Sequence, residues 1–263
     1  MFCGRAADHS HGMIDIHSHI LPGLDDGARD PEEALNMVRL AASAGTTDIV
    51  ATPHADERFR FDPPAVQERI AELQLAAGPT PRIHYGCELH VTAENIADAL
   101  RFPYRYAIAG RAYVLIEFSD FLVPKTTTEI LGRLLDAGVR PIVAHPERNP
   151  LLRRRIADLE TWVERGCLLQ LTAQSLVGRF GRSAQAGSEE LLRRNLVHVV
   201  ASDGHDTRHR PPVLEEGWQY LERHFGALTA RRLLIDNPQA VLDGEAIEEP
   251  AAVPRRKSRF AFW

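Results

Sequence analysis

The sequence predicts an α/β protein in which seven strand–helix units form one closed or nearly closed barrel. Seven short apolar segments rich in β-branched residues recur along the chain, and segments with helix signals lie between them. Apolar strands that alternate with helices indicate a parallel sheet covered on both faces, so a single domain of the TIM-barrel type accommodates all seven units. A doubly wound open sheet is the alternative arrangement.

The candidate strands can be placed on the sequence by their composition. They cover residues 13–20, 47–54, 83–89, 113–118, 139–145, 167–173 and 196–205. Between the first two, Asp30-Pro31-Glu32-Glu33 predicts a helix N-terminus with Asp30 as the N-cap and proline in the first turn. Ala44-Gly45 and Ala137-Gly138 predict the ends of two helices.

Composition limits the classes of function. The chain has 263 residues, 44% of them hydrophobic, and a formal net charge of -5, which argues against a nucleic-acid substrate or an anionic membrane surface as partner. Three scattered cysteines without C-x-x-C spacing indicate neither a disulfide framework nor a zinc ribbon. No apolar run has the length of a signal-peptide core or a membrane span, so we expect a cytoplasmic protein without membrane insertion.

Six of the seven candidate strands end in a side chain that can bind a metal ion. Because the carboxyl ends of parallel barrel strands meet at one mouth, we expect these side chains to surround a common centre. They are His17 and His19 on the first segment, His54 on the second, Glu88 on the third, Glu117 on the fourth, His145 on the fifth, and Asp203 with His205 on the seventh. Imidazoles and carboxylates without thiolates favour Mn, Fe, Zn or Mg, and so many ligands predict more than one ion.

The spacing within the first segment supports this prediction. His17 and His19 are two residues apart, so both imidazoles lie on one face of a strand and can chelate a single ion. Asp25-Asp26-Gly27 follows, and fits either a turn with glycine at positive φ or a source of a further carboxylate ligand. A carboxylate such as Glu88 that bridges two cations would favour hydrolysis at phosphorus, because a shared water then has a pKa near neutrality.

Two arginines are candidates for binding phosphate near this centre. Arg148 lies in His145-Pro146-Glu147-Arg148, and Arg210 follows His205 by five residues. A guanidinium group matches phosphate oxygens bidentately and can stabilise charge that develops in the transition state. Other mechanisms lack their residues, since no cysteine has an arginine six positions later and no phosphate-binding glycine loop or G-x-S-x-G serine motif is present.

Taken together, the motifs resemble the polymerase and histidinol phosphatase (PHP) superfamily. Within it, the chain is similar to the manganese-dependent protein tyrosine phosphatases of bacterial capsule and exopolysaccharide gene clusters, the CpsB/CapC type. The resemblance extends over residues 13–243 and is carried by Asp15-Ile16-His17-Ser18-His19, Asp25-Asp26-Gly27, Ala51-Thr52-Pro53-His54, Gly86-Cys87-Glu88-Leu89, Ile116-Glu117-Phe118, Ala144-His145-Pro146-Glu147-Arg148 and Ala201-Ser202-Asp203-Gly204-His205.

The resemblance implies a distorted (β/α)7 TIM-like barrel, the PHP fold, with three divalent ions, manganese first and Fe, Zn, Co or Mg as alternatives. By motif, one ion would be bound by His17, His19, Glu88 and Asp203, a second by Glu88, Glu117 and His145, and a third by Asp26, His54 and His205. Arg148 and Arg210 match the phosphate-binding arginines. The implied substrate is a phosphotyrosine-bearing protein, the tyrosine-rich tail of a bacterial autokinase that controls polysaccharide chain length and export.

The two ends of the chain extend beyond the resemblance. We expect residues 1–12 to form a disordered leader, with Met13 as an alternative start. Residues 244–263 are rich in proline and arginine and have no helix or strand period, so we predict a tail outside the core.

Two other functions remain open on the sequence. A phenolate leaving group with a pKa of about 10 departs with less protonation than an alkoxide, which favours phosphotyrosine as the substrate. A PHP-type phosphoesterase acting on an alkyl phosphomonoester such as histidinol phosphate would need a proton donor near the leaving oxygen, for which His90 and His209 are candidates. The second alternative is a metal-binding interaction module without catalytic activity.

Overall fold

The computed structural model describes residues 12–247. Residues 1–11 of the predicted leader and residues 248–263 of the predicted tail lie outside this range. The first four residues of the predicted tail are described and contact the core, since Glu245 O accepts a hydrogen bond from Tyr113 Oη at 2.6 Å and Ile247 packs against buried apolar residues. Within it, no helix combines the length and the apolar composition needed to cross a lipid bilayer.

Nine strands occur in the described residues, and every strand pair is parallel. They are β1 (Met13–Ser18), β2 (Thr46–Ala51), β3 (His54–Ala55), β4 (Arg82–Tyr85), β5 (Glu88–His90), β6 (Tyr113–Glu117), β7 (Arg140–Val143), β8 (Leu168–Thr172) and β9 (Val199–Ala201). Each of the seven predicted segments contains a strand, and the second and third segments are each divided into two. One sheet has the order β1-β2-β4 and the other the order β3-β5-β6-β7-β8-β9.

The two divisions have local causes. Pro53, between β2 and β3, has no amide hydrogen to donate to a neighbouring strand. Gly86, between β4 and β5, lies so close to the β2 segment that a Cβ there would be 2.7 Å from Val50 Cγ1 and 3.0 Å from Thr52 Cγ2. Only glycine allows this approach, so the third segment changes direction at this point.

Ten α-helices connect or follow the strands in the described range. They are α1 (Pro31–Ser43), α2 (Pro63–Ala77), α3 (Ala93–Arg101), α4 (Thr127–Asp136), α5 (Ile156–Glu164), α6 (Ala173–Leu176), α7 (Arg182–Arg193), α8 (Glu215–Phe225), α9 (Ala227–Arg231) and α10 (Asn237–Asp243). The predicted start of α1 is confirmed, because the Asp30 carboxylate accepts a hydrogen bond from Glu33 N at 2.9 Å. The predicted ends of α1 and α4 before Gly45 and Gly138 are also confirmed.

The end of β9 lies beside the end of β1. Ser18 and Gly204 form a parallel bridge, Asp203 N donates to His17 O at 2.8 Å, and His19 N donates to Gly204 O at 2.8 Å. The structure is therefore a parallel α/β fold in a single chain, with its sheet curved into a half-barrel.

An apolar cluster of buried residues from several strands lies on one face of the sheet. It includes Tyr113 and Leu115 of β6, Ile142 of β7 and Val199 of β9, all of them buried. Side chains two residues apart on a strand share a face, so Glu117 continues the face of Leu115. The cluster thus supports the polar side chains at the carboxyl edge of the sheet.

Candidate metal and phosphate site

All the predicted site residues converge at the carboxyl ends of the strands. A cavity of about 460 Å³ opens there. Its polar lining includes Asp26, His54, Glu88, Glu117, His145, Arg148, Asp203, His205 and Arg210. His17 and His19 are fully buried, and their rings contact Glu88 and Asp203. The expectation that the carboxyl ends of parallel strands meet at one mouth therefore placed these residues together correctly.

Four acceptor atoms face one another at the bottom of the cavity. His17 Nε2 and His19 Nε2 are 3.2 Å apart, and each lies 3.3 to 3.4 Å from Glu88 Oε2 and 3.4 Å from Asp203 Oδ1. Ligand atoms bonded at about 2.0–2.1 Å to one four-coordinate ion are about 3.4 Å from each other. The spacing of these atoms is that of a coordination shell.

The hydrogen bonds of the Nδ1 atoms of His17 and His19 determine that the Nε2 atoms face the other two acceptors. His17 Nδ1 lies 3.0 Å from Gln170 Oε1, and His19 Nδ1 lies 2.6 Å from Asp25 Oδ2. Both partners are acceptors, so each Nδ1 carries a hydrogen and each Nε2 of a neutral ring presents a lone pair. Histidine ligands of metals are typically held in this way by an acceptor on the other ring nitrogen.

Unsatisfied polar atoms test whether the residues fit a metal centre. Glu88 Oε2 and Asp203 Oδ1 are buried and have no well-aligned hydrogen bond, although His54 Nδ1 lies 3.0 Å from Glu88 Oε2. Buried acceptors without a donor are costly, and a cation satisfies several of them at once. The donor set of imidazole nitrogens and carboxylate oxygens, with no thiolate, fits divalent cations.

Two further groups of ligand atoms surround this first one. Asp26 Oδ1 lies 3.3 Å from His54 Nε2 and 3.5 Å from His205 Nε2. His145 Nε2 lies 2.9 Å from Glu88 Oε1 and 3.9 Å from Glu117 Oε1. Ligand atoms within 4.8 Å of one another also form the groups His17, His145, Asp203 and His54, Glu88, Glu117, so the residues of the three predicted sites are interleaved.

The charge of the cluster is visible in its pKa shifts. Burial opposes protonation of His54, as does the charge on His19, yet the Glu88 and Asp26 carboxylates outweigh both and raise the pKa of His54 to about 10. Glu88 is fully buried, which disfavours its charged form, but His17, His54 and His145 hold its pKa well below the usual range. The negative potential that attracts protons to these imidazoles also attracts divalent cations.

The two arginines share one carboxylate oxygen. Arg148 Nη1 donates to Asp203 Oδ2 in a short contact, and Arg210 Nη2 donates to the same oxygen at 2.6 Å. The ring of Phe180 packs against both guanidinium groups, with centroid distances of 4.2 Å to Arg148 and 5.9 Å to Arg210. A phosphate in the cavity therefore meets two guanidinium groups that already point at the same spot.

Two ligand candidates have an unusual backbone conformation. His145 and Asp203 are non-glycine residues with φ values of 32° and 52°. This region is costly for residues with a Cβ atom and is found mainly where the surrounding structure imposes it. Each residue comes two positions after the end of a strand, β7 or β9, and its side chain lies among the other candidate ligands.

Sequence reasoning missed three residues that organise the site. Gln170 lies inside β8, the strand from the one predicted segment without a ligand at its end. Asp25-Asp26-Gly27 was expected to form a turn or to supply a carboxylate ligand, but the contact of Asp25 with the outer nitrogen of His19 was not predicted. Phe180 lies in a loop between Gly178 and Gly181, both at positive φ, and no pattern in the sequence indicated it.

The two histidines considered as proton donors are separated by the structure. His90 lines the cavity, and its Nδ1 lies 3.3 Å from Glu117 Oε2. His209 lines a neighbouring cavity that shares Asp26 and His205 with the first.

A parallel α/β half-barrel with imidazole and carboxylate ligands at the carboxyl edge of its strands has the architecture of a metal-binding α/β enzyme. The family model described as "Capsular polysaccharide synthesis, CpsB/CapC" matches residues 13–243. The chain belongs to this family.

Two tyrosine-protein phosphatases are similar to this chain over most of its length. It is 35% identical over 251 residues to the tyrosine-protein phosphatase YwqE of Bacillus subtilis, covering 93% of this chain and 98% of YwqE. It is 29% identical over 247 residues to the tyrosine-protein phosphatase CpsB of Streptococcus pneumoniae, covering 89% of this chain and 100% of CpsB. A crystal structure from work on YwqE and CpsB, described as unique metal-dependent tyrosine phosphatases, superposes with a TM-score of 0.83 at 34% identity, covering 92% of this chain and 100% of that one.

Proposed function

We propose that this chain is a metal-dependent protein tyrosine phosphatase that acts in the cytoplasm and regulates capsule or exopolysaccharide synthesis. The observation that carries the proposal is the set of four facing acceptor atoms beneath two arginines that share one oxygen of Asp203. Such a site combines cation binding with phosphate binding. Relatives with full-length matches are tyrosine-protein phosphatases.

Three divalent ions are proposed, with manganese as the native metal. His17, His19, Glu88 and Asp203 would bind the first ion, Glu88, Glu117 and His145 the second, and Asp26, His54 and His205 the third. The short distances within the first and third groups support this allocation, and the closeness of His145 to Glu88 supports the second. When bound, such ions supply Lewis acidity and lower the pKa of water toward neutrality.

The chain's own residues bind and orient the substrate. Arg148 and Arg210 would exchange their shared contact with Asp203 for phosphate oxygens and stabilise the charge that develops on them. Phe180 restricts both guanidinium groups to the wall of the cavity. A phenolate leaves without an obligatory proton donor, so a phosphorylated tyrosine needs no further group at the leaving oxygen.

For the fold we propose a distorted (β/α)7 barrel in a single domain at residues 13–243. Counting β2 with β3 and β4 with β5 as single interrupted strands gives seven units. The bridge between Ser18 and Gly204 supports closure between the first and the last of them. The proposed leader and tail then lie on either side of this domain.

The proposed substrate protein is a bacterial tyrosine autokinase with a tyrosine-rich tail. The site lies in a cavity open enough to admit a side chain presented by an extended segment, and its exposed rim includes Asp120 and Phe121. A flexible tail can place successive tyrosines in such a cavity.

The proposal is tested by kcat/KM of the manganese-loaded protein on a phosphotyrosyl peptide, histidinol phosphate and a nucleotide monophosphate, with and without chelator. We expect a chelator-sensitive preference for the peptide that is lost in His145→Ala and in Arg148→Ala. His224→Ala, which removes a histidine whose ring lies against that of Tyr220 in α8 at a centroid distance of 4.4 Å, serves as the matched control and should retain activity. Absence of turnover with every metal would refute the proposal and favour a metal-binding interaction module without catalytic activity.

An alkyl phosphomonoesterase is the second candidate, and His90 favours it. The hydrogen bond with Glu117 raises the pKa of His90, which favours the protonated imidazole at the edge of the cavity, the form that would donate a proton to an alkoxide. If this candidate is correct, histidinol phosphate is the preferred substrate. His90→Gln should then lower kcat for histidinol phosphate far more than kcat for the phosphotyrosyl peptide.

A further inference from the structure

An apolar groove runs along the outside of the barrel between α3 and α4. Its volume is about 400 Å³, and Arg133 is the one charged residue among those that line it in the described chain. The lining includes Val91, Thr92, Ala93, Ala97, Pro124 and Thr126. Soluble proteins rarely leave such a surface uncovered unless it binds something.

Residues close together in sequence line the cavity and the groove on two segments of the chain. Residues 88 and 90 at β5 line the cavity, and residues 91–93 line the groove. On the opposite wall, residues 117–121 line the cavity, and Pro124 and Thr126 line the groove. Two uninterrupted pieces of chain therefore lead from one to the other.

Two large apolar side chains lie exposed on the second of these pieces. Phe121 is 94% exposed and Leu122 is 65% exposed. They occupy the stretch between the cavity-lining and the groove-lining residues. Along the chain, exposed apolar side chains therefore lie between the residues of the phosphate site and those of the groove.

We propose that this groove binds the apolar residues that flank the phosphorylated tyrosine of the substrate protein. The proposal rests on the proposed function, since it takes the cavity to be the site of phosphate hydrolysis. The occupant is an extended peptide segment, because the linings of the cavity and the groove adjoin along two segments of the chain, so a peptide that leaves the cavity on this side meets the groove next. Apolar side chains suit the lining, which offers few polar partners.

The size of the groove sets the length of peptide needed to reach it. Helix α3 has nine residues, which corresponds to about 13 Å. An extended peptide covers that distance with about four residues. Because the path first crosses Phe121 and Leu122, a tripeptide is too short to enter the groove and an extension of about eight residues is sufficient.

The test compares substrates that differ only in this extension. A phosphotyrosyl tripeptide, the same peptide with an eight-residue Val/Leu-rich extension on either side, the same lengths of Gly/Ser, and p-nitrophenyl phosphate are assayed with the metal-loaded protein. We expect one apolar extension to lower KM on the order of tenfold relative to its Gly/Ser counterpart with kcat unchanged, since a buried apolar side chain contributes about that factor to binding.

Ala97→Glu fills the groove with a charged side chain and has little effect on folding. Ala97 is exposed in the middle of α3, and the new carboxylate would lie one turn before Arg101, which favours the helix. Ala71→Glu in α2 is the matched control, because Ala71 is also an exposed helical alanine but lines neither the cavity nor the groove. Only Ala97→Glu should abolish the preference for the apolar extension, and neither variant should change turnover of p-nitrophenyl phosphate.

Several outcomes would overturn the proposal. These are equal KM values for apolar and Gly/Ser extensions, a preference that survives Ala97→Glu, or concentration-dependent self-association in sedimentation that Ala97→Glu abolishes, which would assign the groove to a second copy of the chain. Failure of the proposed function has a different signature, namely no turnover of the tripeptide while another phosphomonoester is hydrolysed. Binding of the unphosphorylated apolar peptide to both variants, measured by fluorescence anisotropy, then tests the groove without turnover. Weaker binding to Ala97→Glu than to Ala71→Glu supports the groove as the binding site, and equal binding refutes it.

Discussion

Replacing Asp25 by asparagine tests whether a carboxylate behind the metal ligands controls metal affinity. Asp25 Oδ2 accepts from His19 Nδ1 at 2.6 Å and from His54 N at 3.1 Å, and Asp25 Oδ1 accepts from Gly27 N at 2.9 Å. Both oxygens thus face donors. An asparagine has one acceptor oxygen, so in either orientation its NH2 group meets a donor and at least one hydrogen bond is lost.

The expected cost follows from these contacts. Substitutions of groups that hold a metal-binding histidine typically lower metal affinity about 10- to 100-fold, or about 1.4–2.7 kcal/mol. The loss of one hydrogen bond to a charged group, about 1.5–3 kcal/mol, gives the same range. We expect Asp25→Asn to raise the dissociation constant for manganese by this factor and to recover most of its kcat when metal is saturating.

The assay is titration calorimetry with manganese, together with phosphatase activity at buffered free metal concentrations. Asp120→Asn is the control, since Asp120 lines the same cavity but contacts none of the proposed ligands, and it removes the same charge. An affinity of Asp25→Asn within twofold of the wild type would refute the idea that Asp25 holds His19 for metal binding. An equal loss in Asp120→Asn would show that net charge and not the orientation of His19 sets the affinity.

Three further outcomes are expected. Phe180→Leu removes the ring from Arg148, about 1 kcal/mol of cation–π interaction, and should raise the Ki of inorganic phosphate about fivefold. Glu147→Ala leaves the buried Thr172 N–H and Ser175 hydroxyl without an acceptor and should lower the free energy of unfolding by about 2–5 kcal/mol, measured by urea denaturation. Burial, followed by the charge of Arg232, lowers the pKa of His198 to about 4, so its contribution to stability is fully present above about pH 6.5 and should decrease by up to about 3 kcal/mol as pH falls to 4.

Each of these has a result that would contradict it. An unchanged phosphate Ki in Phe180→Leu would mean that the ring does not position the guanidinium. Glu147→Gln keeps an acceptor oxygen and should lose much less stability than the alanine variant, so equal losses would refute the hydrogen-bond argument. His198→Asn keeps an acceptor for Leu169 N, which donates to His198 Nδ1 at 3.2 Å, and it should have a flatter stability profile between pH 6.5 and 4 than the wild type. Parallel profiles would exclude His198 as the titrating group.

The location of the site was predictable from the sequence because it depends on a rule about strand direction. Parallel strands place their carboxyl ends at one edge, so His54, Glu117 and Asp203, far apart in the chain, were expected together without knowledge of any distance. The strand segments themselves were recognisable because their apolar, β-branched composition is local. The breaks at Pro53 and Gly86 were not, since the second depends on the approach of another strand.

The residues that orient the ligands were harder to predict for a different reason. Gln170 contacts His17 although the two residues are 153 positions apart in the chain. Its polar side chain also lies inside a strand whose other residues are mostly apolar. Phe180 contacts Arg148 only because α6 and the glycine-flanked loop after it fold back over the cavity. Such contacts depend on tertiary packing, which a periodic pattern does not encode.

Strain and unsatisfied atoms occur together in this site, and their coincidence indicates what the local structure is selected for. The positive φ values of His145 and Asp203 each cost on the order of 1–3 kcal/mol. Glu88 Oε2 and Asp203 Oδ1 add the cost of buried acceptors without donors. A protein of marginal stability retains such costs where binding offsets them, and two converging arginines with four facing acceptors specify what is bound, namely cations and a phosphate.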